Sequence, residues 1–390
     1  MFYENQTQLQ KDNYKKMLTI IGNLTLLFSE SNCPYLPYRA HENIFCKYLE
    51  AKNLARSDCS ADASKNGIGI GLKTWTGNDD QKIAEFGKLR DNYKSLSGMD
   101  LVKKISEYRN ERIRVTMNAH GIKNMIYHIV KRVPKSMQIL ECSFDYIDIN
   151  NINLIYNRGN SNNTYFTDKK HIYHFSVSKN TLYMIFNNLE KLDEFEVEIL
   201  ADPYSLLMNL TSTQTSNEIL STHFFEKTIG SISSKSQLCL RLYSTKADGT
   251  KYVPQKSGLN QWNARGRKRD PDEIYIPYQA EDRNRNLTFF PTRDKPFKLH
   301  LPDGTTILSK VCQEADKSNP CLGKAIMSNP NKVLGKWLLR DVFEVKKGVL
   351  ITYEMLEIFG IDSVIFTKNS DNDYTVDFSE IGTYEEFYLN

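Results

Sequence analysis

The chain has 390 residues, which is more than one ordinary hydrophobic core accommodates, so we expect two domains. With 40% hydrophobic and 25% charged residues, the composition is typical of a folded protein and excludes a mainly disordered chain. The formal net charge of +4 is too small to identify a nucleic-acid partner by itself. Seven scattered cysteines without a C-x-x-C pair favour reduced thiols over a disulfide framework or a zinc site. No signal peptide or long apolar run occurs, so we expect a cytoplasmic protein with no membrane partner.

Hydrophobic periodicity predicts helices in the first third of the chain, over residues 12–29, 40–51, 79–96 and 99–118. Alternating patterns then predict strands over residues 125–133, 137–144, 151–157, 171–178 and 195–200. A stretch rich in Ser and Thr, residues 211–236, is predicted as a linker. It separates an N-terminal domain, 1–210, from a C-terminal domain, 237–390, which we predict to be a small β-barrel with one or two helices. The expected fold class is therefore α+β.

A short hairpin is predicted over residues 56–76, because Asn66-Gly67 is a strong signal for a type I′ turn. Paired positions then sum to 133, which places Asp62 opposite Gly71, Ser60 opposite Lys73 and Asp58 opposite Trp75. One face of the hairpin is small and apolar, and the other carries two aspartates, two glycines and Lys73. The glycines would allow another backbone to come close.

The polar face of this hairpin suits phosphodiester chemistry. A divalent cation held by Asp62, with Lys73 beside it, would stabilise the charge that develops on a phosphate under attack. Glu42, at the start of the preceding predicted helix, would add a second carboxylate. Mg²⁺ keeps most of its waters, so a sparse protein site is sufficient. The alternative is an exposed hairpin in which Asp62 and Lys73 form a surface ion pair of little energetic value.

This arrangement of a helix Glu, a strand Asp and a strand x-Lys resembles the PD-(D/E)XK nuclease core of many type II restriction endonucleases. The resemblance implies an N-terminal α/β nuclease domain in which Glu42 and Asp62 bind metal and Lys73 serves the nucleophile. The family also has an acid two residues before the lysine, where this chain has Gly71. Asp58 or Glu42 would replace that ligand. The resemblance also suggests that Gln81, Lys82 or Glu85 enters the site from the next helix.

Basic residues cluster in the C-terminal half, where four of five consecutive positions are Arg265, Arg267, Lys268 and Arg269. Segments within residues 257–343, including SGLNQWNARGRKRDPDEIYIPY and GKAIMSNPNKVLGKWLLRDV, are similar to the C-terminal recognition domain of the BfiI and NgoAVII restriction endonucleases. That domain is a β pseudobarrel of the type found in plant "B-three" transcription factors. The resemblance implies two extended arms that enter the major groove, over 261–269 and within 328–336.

The residue types of the two arms suggest separate tasks. Arginine suits guanine, and asparagine or glutamine suits adenine. Lys268, Arg269 and Lys336 are expected to hold phosphates instead. The predicted DNA-binding residues are Gln261, Asn263, Arg265, Arg267, Lys268, Arg269, Asn329, Asn331, Lys332 and Lys336.

Together these features predict a Mg²⁺-dependent type II restriction endonuclease that cuts double-stranded DNA. Such an enzyme implies a cognate methyltransferase as functional partner, and a homodimer is possible. The alternative is a sequence-specific regulator that binds DNA through the barrel and does not cut it. A phospholipase-D-type nuclease would need an H-x-K-x4-D motif, which is not found around His171, His174 and Lys179.

Overall fold

The computed structural model describes residues 1–55, 59–77, 80–155, 162–187, 189–212, 236–317 and 319–389. The chain divides into two compact units. The first comprises residues 1–55, 61–107 and 123–234, and the second comprises residues 56–60, 108–122 and 235–390. Two short segments of the N-terminal half therefore belong to the second unit. Most of the predicted linker, residues 213–235, lies outside the described residues, as does Asp58.

A six-stranded sheet forms the centre of the first unit, in the order β1-β2-β3-β5-β6-β11. Its strands are β1 (Lys52–Asn53), β2 (Ala63–Lys65), β3 (Ile68–Trp75), β5 (Asn124–Val133), β6 (Ser136–Ser143) and β11 (Glu190–Glu196). Strand β3 is antiparallel to β2 and parallel to β5. The connection from β3 to β5 contains a strand of the second sheet, residues 81–85, and then helix α3 (Gly98–Ala119), and it is long enough for the crossover that parallel neighbours need.

Helices α1 (Gln8–Asn23) and α2 (Tyr38–Tyr48) supply the apolar residues that cover one face of this sheet. Leu18 and Phe45 share a buried cluster with Ile70, Leu72 and other sheet residues. Thr7 caps α1 through a reciprocal capping box with Gln10. The predicted helices 12–29, 40–51 and 99–118 are thus confirmed, with shifted ends.

A second sheet of the first unit is antiparallel, in the order β4-β10-β9-β8-β7. Its strands are β4 (Gln81–Glu85), β7 (Asn153–Leu154), β8 (Asn163–Thr167), β9 (Ile172–Ser176) and β10 (Thr181–Ile185). The predicted helix over 79–96 is wrong, because residues 81–85 form β4 and only a 3-10 turn, Gly87–Asn92, follows. Pairing with β10, about a hundred residues later, outweighs the local helix propensity. Helix α4 (Pro203–Ser212) ends the described part of the unit.

The second unit is built on a seven-stranded sheet in the order β12-β19-β20-β16-β17-β18-β15. Strands β12 (Gln237–Arg241) and β15 (Ile276–Pro277), at the two ends of this order, contact each other, so the sheet nearly closes. The other strands are β16 (Pro296–His300), β17 (Thr306–Asp316), β18 (Asn319–Ser328), β19 (Ile361–Ser370) and β20 (Asp373–Glu380), and β13 (Ser244–Thr245) pairs separately with β14 (Lys251–Tyr252). The predicted barrel is confirmed as a nearly closed sheet, but the prediction of one or two helices is wrong, because the described residues of this unit contain more.

Short helices cover the barrel. They are α5 (Ala280–Arg285), α6 (Val333–Gly335), which continues as a π-helix (Lys336–Val342), α7 (Tyr353–Phe359) and α8 (Thr383–Leu389). Among the described residues, no helix combines the length and the apolar character that crossing a lipid bilayer requires.

Candidate functional site

The hairpin between β2 and β3 has the predicted turn. Asn66 and Gly67 have positive φ angles of 52° and 76°, as a type I′ turn requires. Lys65 pairs with Ile68 and Ala63 with Ile70, so the paired positions sum to 133, as predicted. Register is therefore confirmed as far as the ladder extends.

The ladder ends at Ala63, and the predicted continuation to Ser60 opposite Lys73 does not form. The amide of Asp62 donates to the carbonyl oxygen of Ile70 at 2.9 Å, the same residue that pairs with Ala63. The Oδ2 atom of Asp62 accepts the amide hydrogen of Leu72 at 2.7 Å. The carboxylate is thus fixed at the backbone of β3, immediately before Lys73.

Gly71 stands where the PD-(D/E)XK family has an acid, and its surroundings leave no space for a side chain. A Cβ atom at this position would lie 2.9 Å from the ring of Tyr127 and 3.0 Å from that of Phe144. These two rings stack with their centroids 4.1 Å apart. The predicted approach of another backbone is in fact an approach of aromatic rings.

Replacing Gly71 with alanine is expected to destabilise the protein by about 1–3 kcal/mol, the usual cost of overpacking a core. Gly87→Ala is the matched control, because the nearest atoms would lie 3.9 Å or more from its Cβ. Urea unfolding of the two variants measures the difference. Equal stability would show that the Tyr127 and Phe144 rings can move aside, and that an acid at position 71 would be accommodated.

Glu42, Asp62 and Lys73 are brought close enough to interact electrostatically. Burial raises the pKa of the Glu42 carboxyl, the charge of Asp62 raises it further, and Arg39 and Lys73 act in the opposite direction. Burial also raises the pKa of Asp62, against the effects of Lys73, the Leu72 amide and Arg39. Burial, Glu42 and Asp62 together raise the pKa of the Cys46 thiol to about 12. The helix residue and the hairpin residues therefore form one cluster.

The cluster contains two carboxylates that suit a hard cation. Glu42 is 7% exposed, and burial together with the negative charge of Asp62 disfavours its ionised form, which a bound cation would favour. Within the described ranges, no group of three or more His, Cys, Asp or Glu side chains is placed to hold a metal ion. Two carboxylates are nevertheless enough for Mg²⁺, which retains several of its waters. The donor chemistry of Glu42 and Asp62 fits this cation.

Neutralising Asp62 is expected to stabilise the protein when no divalent cation is present. Because the folded-state pKa of Asp62 is raised, ionisation costs folding free energy as the pH rises through that pKa. The variant Asp62→Asn removes this cost and retains an oxygen for the Leu72 amide. We expect its Tm in EDTA at neutral pH to rise by about 2–4 °C. A lower Tm would show instead that the attraction between Asp62 and the neighbouring cations outweighs the cost of burial.

A buried hydrogen-bond chain holds the start of helix α2 against the sheet. The Tyr14 hydroxyl lies 2.8 Å from Nε2 of His41 and 3.0 Å from Nε2 of His128. The other nitrogen of His128 lies 2.9 Å from Glu141. All four side chains are essentially inaccessible to solvent. No local sequence pattern indicates this network of hydrogen bonds, because its members are distributed over four elements.

The residues that were expected to enter the site from a following helix lie on a strand instead. Gln81, Lys82 and Glu85 are on strand β4, and Lys82 and Glu85 form an exposed ion pair at 2.5 Å. The interpretation of these three residues as part of a helix is wrong for the same reason as the helix itself.

The first predicted arm of the barrel folds around a buried carboxylate. Glu273 is 4% exposed, accepts a hydrogen bond from the guanidinium of Arg267 and lies 3.4 Å from Nε2 of Gln261. Arg269 donates to the carbonyl oxygens of Ala264 and Arg265, at 2.6 and 3.1 Å. The side chains of Gln261 and Arg269 therefore form hydrogen bonds that stabilise the loop of the arm.

Other residues of the two arms face solvent. In the first arm these are Asn263, Arg265, Arg267 and Lys268, and in the second they are Asn329, Asn331, Lys332 and Lys336. The second arm meets the segment that follows the first arm, because Gly335 packs directly against the backbone of Asp272. Arg340 secures this contact by donating to Asp272 at 2.7 Å. We refer to these exposed basic and amide residues of the two arms as the arm surface.

A family described as the NgoFVII C-terminal B3-like DNA-binding domain matches residues 231–370 of this chain. The match extends over the barrel from β12 to the end of β19 and includes both arms. It confirms that the C-terminal part resembles a restriction-enzyme recognition domain. No curated protein matches the chain. The resemblance of the N-terminal part to a nuclease domain stays a prediction.

Proposed function

We propose that this protein is a type II restriction endonuclease that binds duplex DNA through its barrel and hydrolyses it at the Glu42–Asp62–Lys73 cluster. The observation that carries the proposal is the cluster itself. A helix Glu, a hairpin Asp and the following strand Lys interact electrostatically. The C-terminal part of the same chain matches a B3-like domain. The topology supports it, because the parallel strands β3 and β5 joined by a crossover helix suit an α/β nuclease core.

In the reaction, the oxygen of water bonds to phosphorus, one bond from phosphorus to a sugar oxygen breaks, and that oxygen takes up a proton. When bound, Mg²⁺ supplies Lewis acidity toward the phosphate. Glu42 and Asp62 would hold it. The backbone contact to Leu72 orients Asp62, and the ammonium of Lys73 stabilises negative charge as it develops.

Sequence selection is proposed to occur at the arm surface. Arg265 and Arg267 provide the planar donors that read guanine, and the exposed asparagines suit adenine. Lys268, Lys332 and Lys336 would hold phosphates and fix the register of the barrel on the duplex. Restriction also implies a methyltransferase that protects the host DNA, and Mg²⁺ as the cofactor.

Cleavage of plasmid DNA tests the proposal directly. Purified protein should convert supercoiled plasmid into discrete linear fragments in Mg²⁺, and EDTA should prevent this. Fragments produced in EDTA would indicate a metal-independent nuclease. A DNA mobility shift without any cutting in Mg²⁺ would favour the second candidate, a regulator that only binds.

Gly71 is the observation that favours this second candidate. The family acid is replaced by a residue whose side-chain space is filled by Tyr127 and Phe144, so two carboxylates remain in the described cluster. A protein whose first unit no longer catalysed cleavage would retain the hairpin in that unit and the barrel in the second unit.

A further inference from the structure

Arg39 is the exposed member of the charged cluster. It lies three residues before Glu42 on helix α2, and its Nη1 atom is 2.8 Å from Oε2 of Glu42. The same atom is 3.3 Å from the carbonyl oxygen of Ala55. The Arg39 side chain is 53% exposed, whereas that of Glu42 is 9% exposed. A long, half-exposed cation thus covers a buried carboxylate.

The four charged side chains described in this cluster balance without a metal when both carboxyls are ionised. Glu42 and Asp62 then contribute two negative charges, and Arg39 and Lys73 contribute two positive charges. Arg39 acts on both carboxylates, as Lys73 does. A divalent cation held by Glu42 and Asp62 would add two positive charges and repel Arg39 from Glu42. A phosphodiester and a hydroxide would bring two negative charges and restore the balance.

From this geometry, and on the basis of the proposed nuclease function, we propose that Arg39 has two positions. Without metal it pairs with Glu42 and takes the place of the cation. With metal bound it turns outward and binds a phosphate of the DNA beside the cutting site. The exposed guanidinium suits this second role, because its planar donors match two phosphate oxygens.

The two positions give opposite expectations for metal binding and for cleavage. Arg39→Gln removes the competing charge, so Mg²⁺ affinity without DNA should increase by about 3–10-fold. The same variant loses the phosphate contact, so single-turnover cleavage at saturating Mg²⁺ should slow by about 10–100-fold. Arg39→Lys retains the charge without the planar fork. It should keep Mg²⁺ affinity near the wild-type value and still cleave more slowly.

The experiment measures Mg²⁺ affinity by calorimetry on the full chain in the absence of DNA, and cleavage separately. Arg90→Gln is the matched control, because Arg90 is an exposed arginine of the same unit. Tm values in EDTA verify that each variant is folded, and Arg39→Ala, which also removes the charge, carries the test if Arg39→Gln does not fold.

Tighter Mg²⁺ binding with slower cleavage by Arg39→Gln supports the proposal. Unchanged or weaker Mg²⁺ binding by this variant overturns the proposal that Arg39 takes the place of the cation. Cleavage at the wild-type rate by both variants overturns the proposal that Arg39 binds a DNA phosphate. A wild-type protein that binds Mg²⁺ but does not cut DNA refutes the nuclease function alone. In that case tighter Mg²⁺ binding by Arg39→Gln still supports the proposal that Arg39 takes the place of the cation.

Discussion

Replacing Asp62 with asparagine is expected to lower the single-turnover rate of DNA cleavage by about 10³-fold, comparable to the loss of a major electrostatic contributor to catalysis. The substitution retains the size of the side chain and an acceptor for the Leu72 amide, but removes the charge that would hold the cation. Lys73→Ala should have an effect of similar size, because it removes the only lysine that acts on both carboxylates among the described interactions. Quench-flow or manual time courses on a labelled duplex measure both rates.

Asp91→Asn is the control for Asp62→Asn. The Asp91 carboxylate is 88% exposed and pairs with Lys94 on the surface of the same unit. Both Asp variants should bind DNA like the wild type, because the arm surface is unchanged. Cleavage by Asp62→Asn at the wild-type rate would exclude this carboxylate from the chemistry.

Arg265→Ala is expected to weaken binding of the recognised duplex by about 10–100-fold and to relax specificity at one base pair. Arg265 is exposed in the first arm, and its backbone is held in place by Arg269. Lys336→Ala should weaken binding to all sequences alike and reduce the slope of log affinity against log salt by about one. Fluorescence anisotropy with cognate and scrambled duplexes at several salt concentrations separates the two effects.

Lys246→Ala serves as the control, because Lys246 is an exposed lysine on the β13–β14 hairpin, outside the two arms. Equal losses for Arg265→Ala on cognate and scrambled DNA would show that Arg265 contacts phosphate. No loss for either arm variant would move the interface to another part of the barrel.

Local sequence signals were sufficient for the hairpin turn. Asn66-Gly67 fixes its register without help from distant residues, and alternation then separates the apolar residues Ile70 and Leu72 from the polar face. The grouping of Glu42 with Asp62 and Lys73 was expected from the resemblance to a nuclease, but the ladder that should have set Asp62 opposite Gly71 ends at Ala63. The barrel and its arms were likewise indicated by an ordered set of motifs.

Features that depend on distant partners could not be predicted in this way. The space at Gly71 is filled by Tyr127 and Phe144, and β4 exists because it pairs with β10. Glu273 was not singled out, although it organises the first arm, because nothing in its local pattern distinguishes a buried acid from a solvated one. The sequence did contain one sign of an ion pair at Glu273, because this acid follows Arg269 by four residues.

The central claim is that one protein combines a DNA-reading barrel with a cation-dependent cutting cluster. It is tested most directly by assembling the protein on an end-labelled duplex in EDTA and then adding excess Mg²⁺. The account predicts a single discrete cut at a fixed distance from the sequence that the barrel protects, and no cut by the Asp62→Asn variant in the same complex. A stable complex that remains intact after Mg²⁺ is added, or an equal cut by Asp62→Asn, would contradict it.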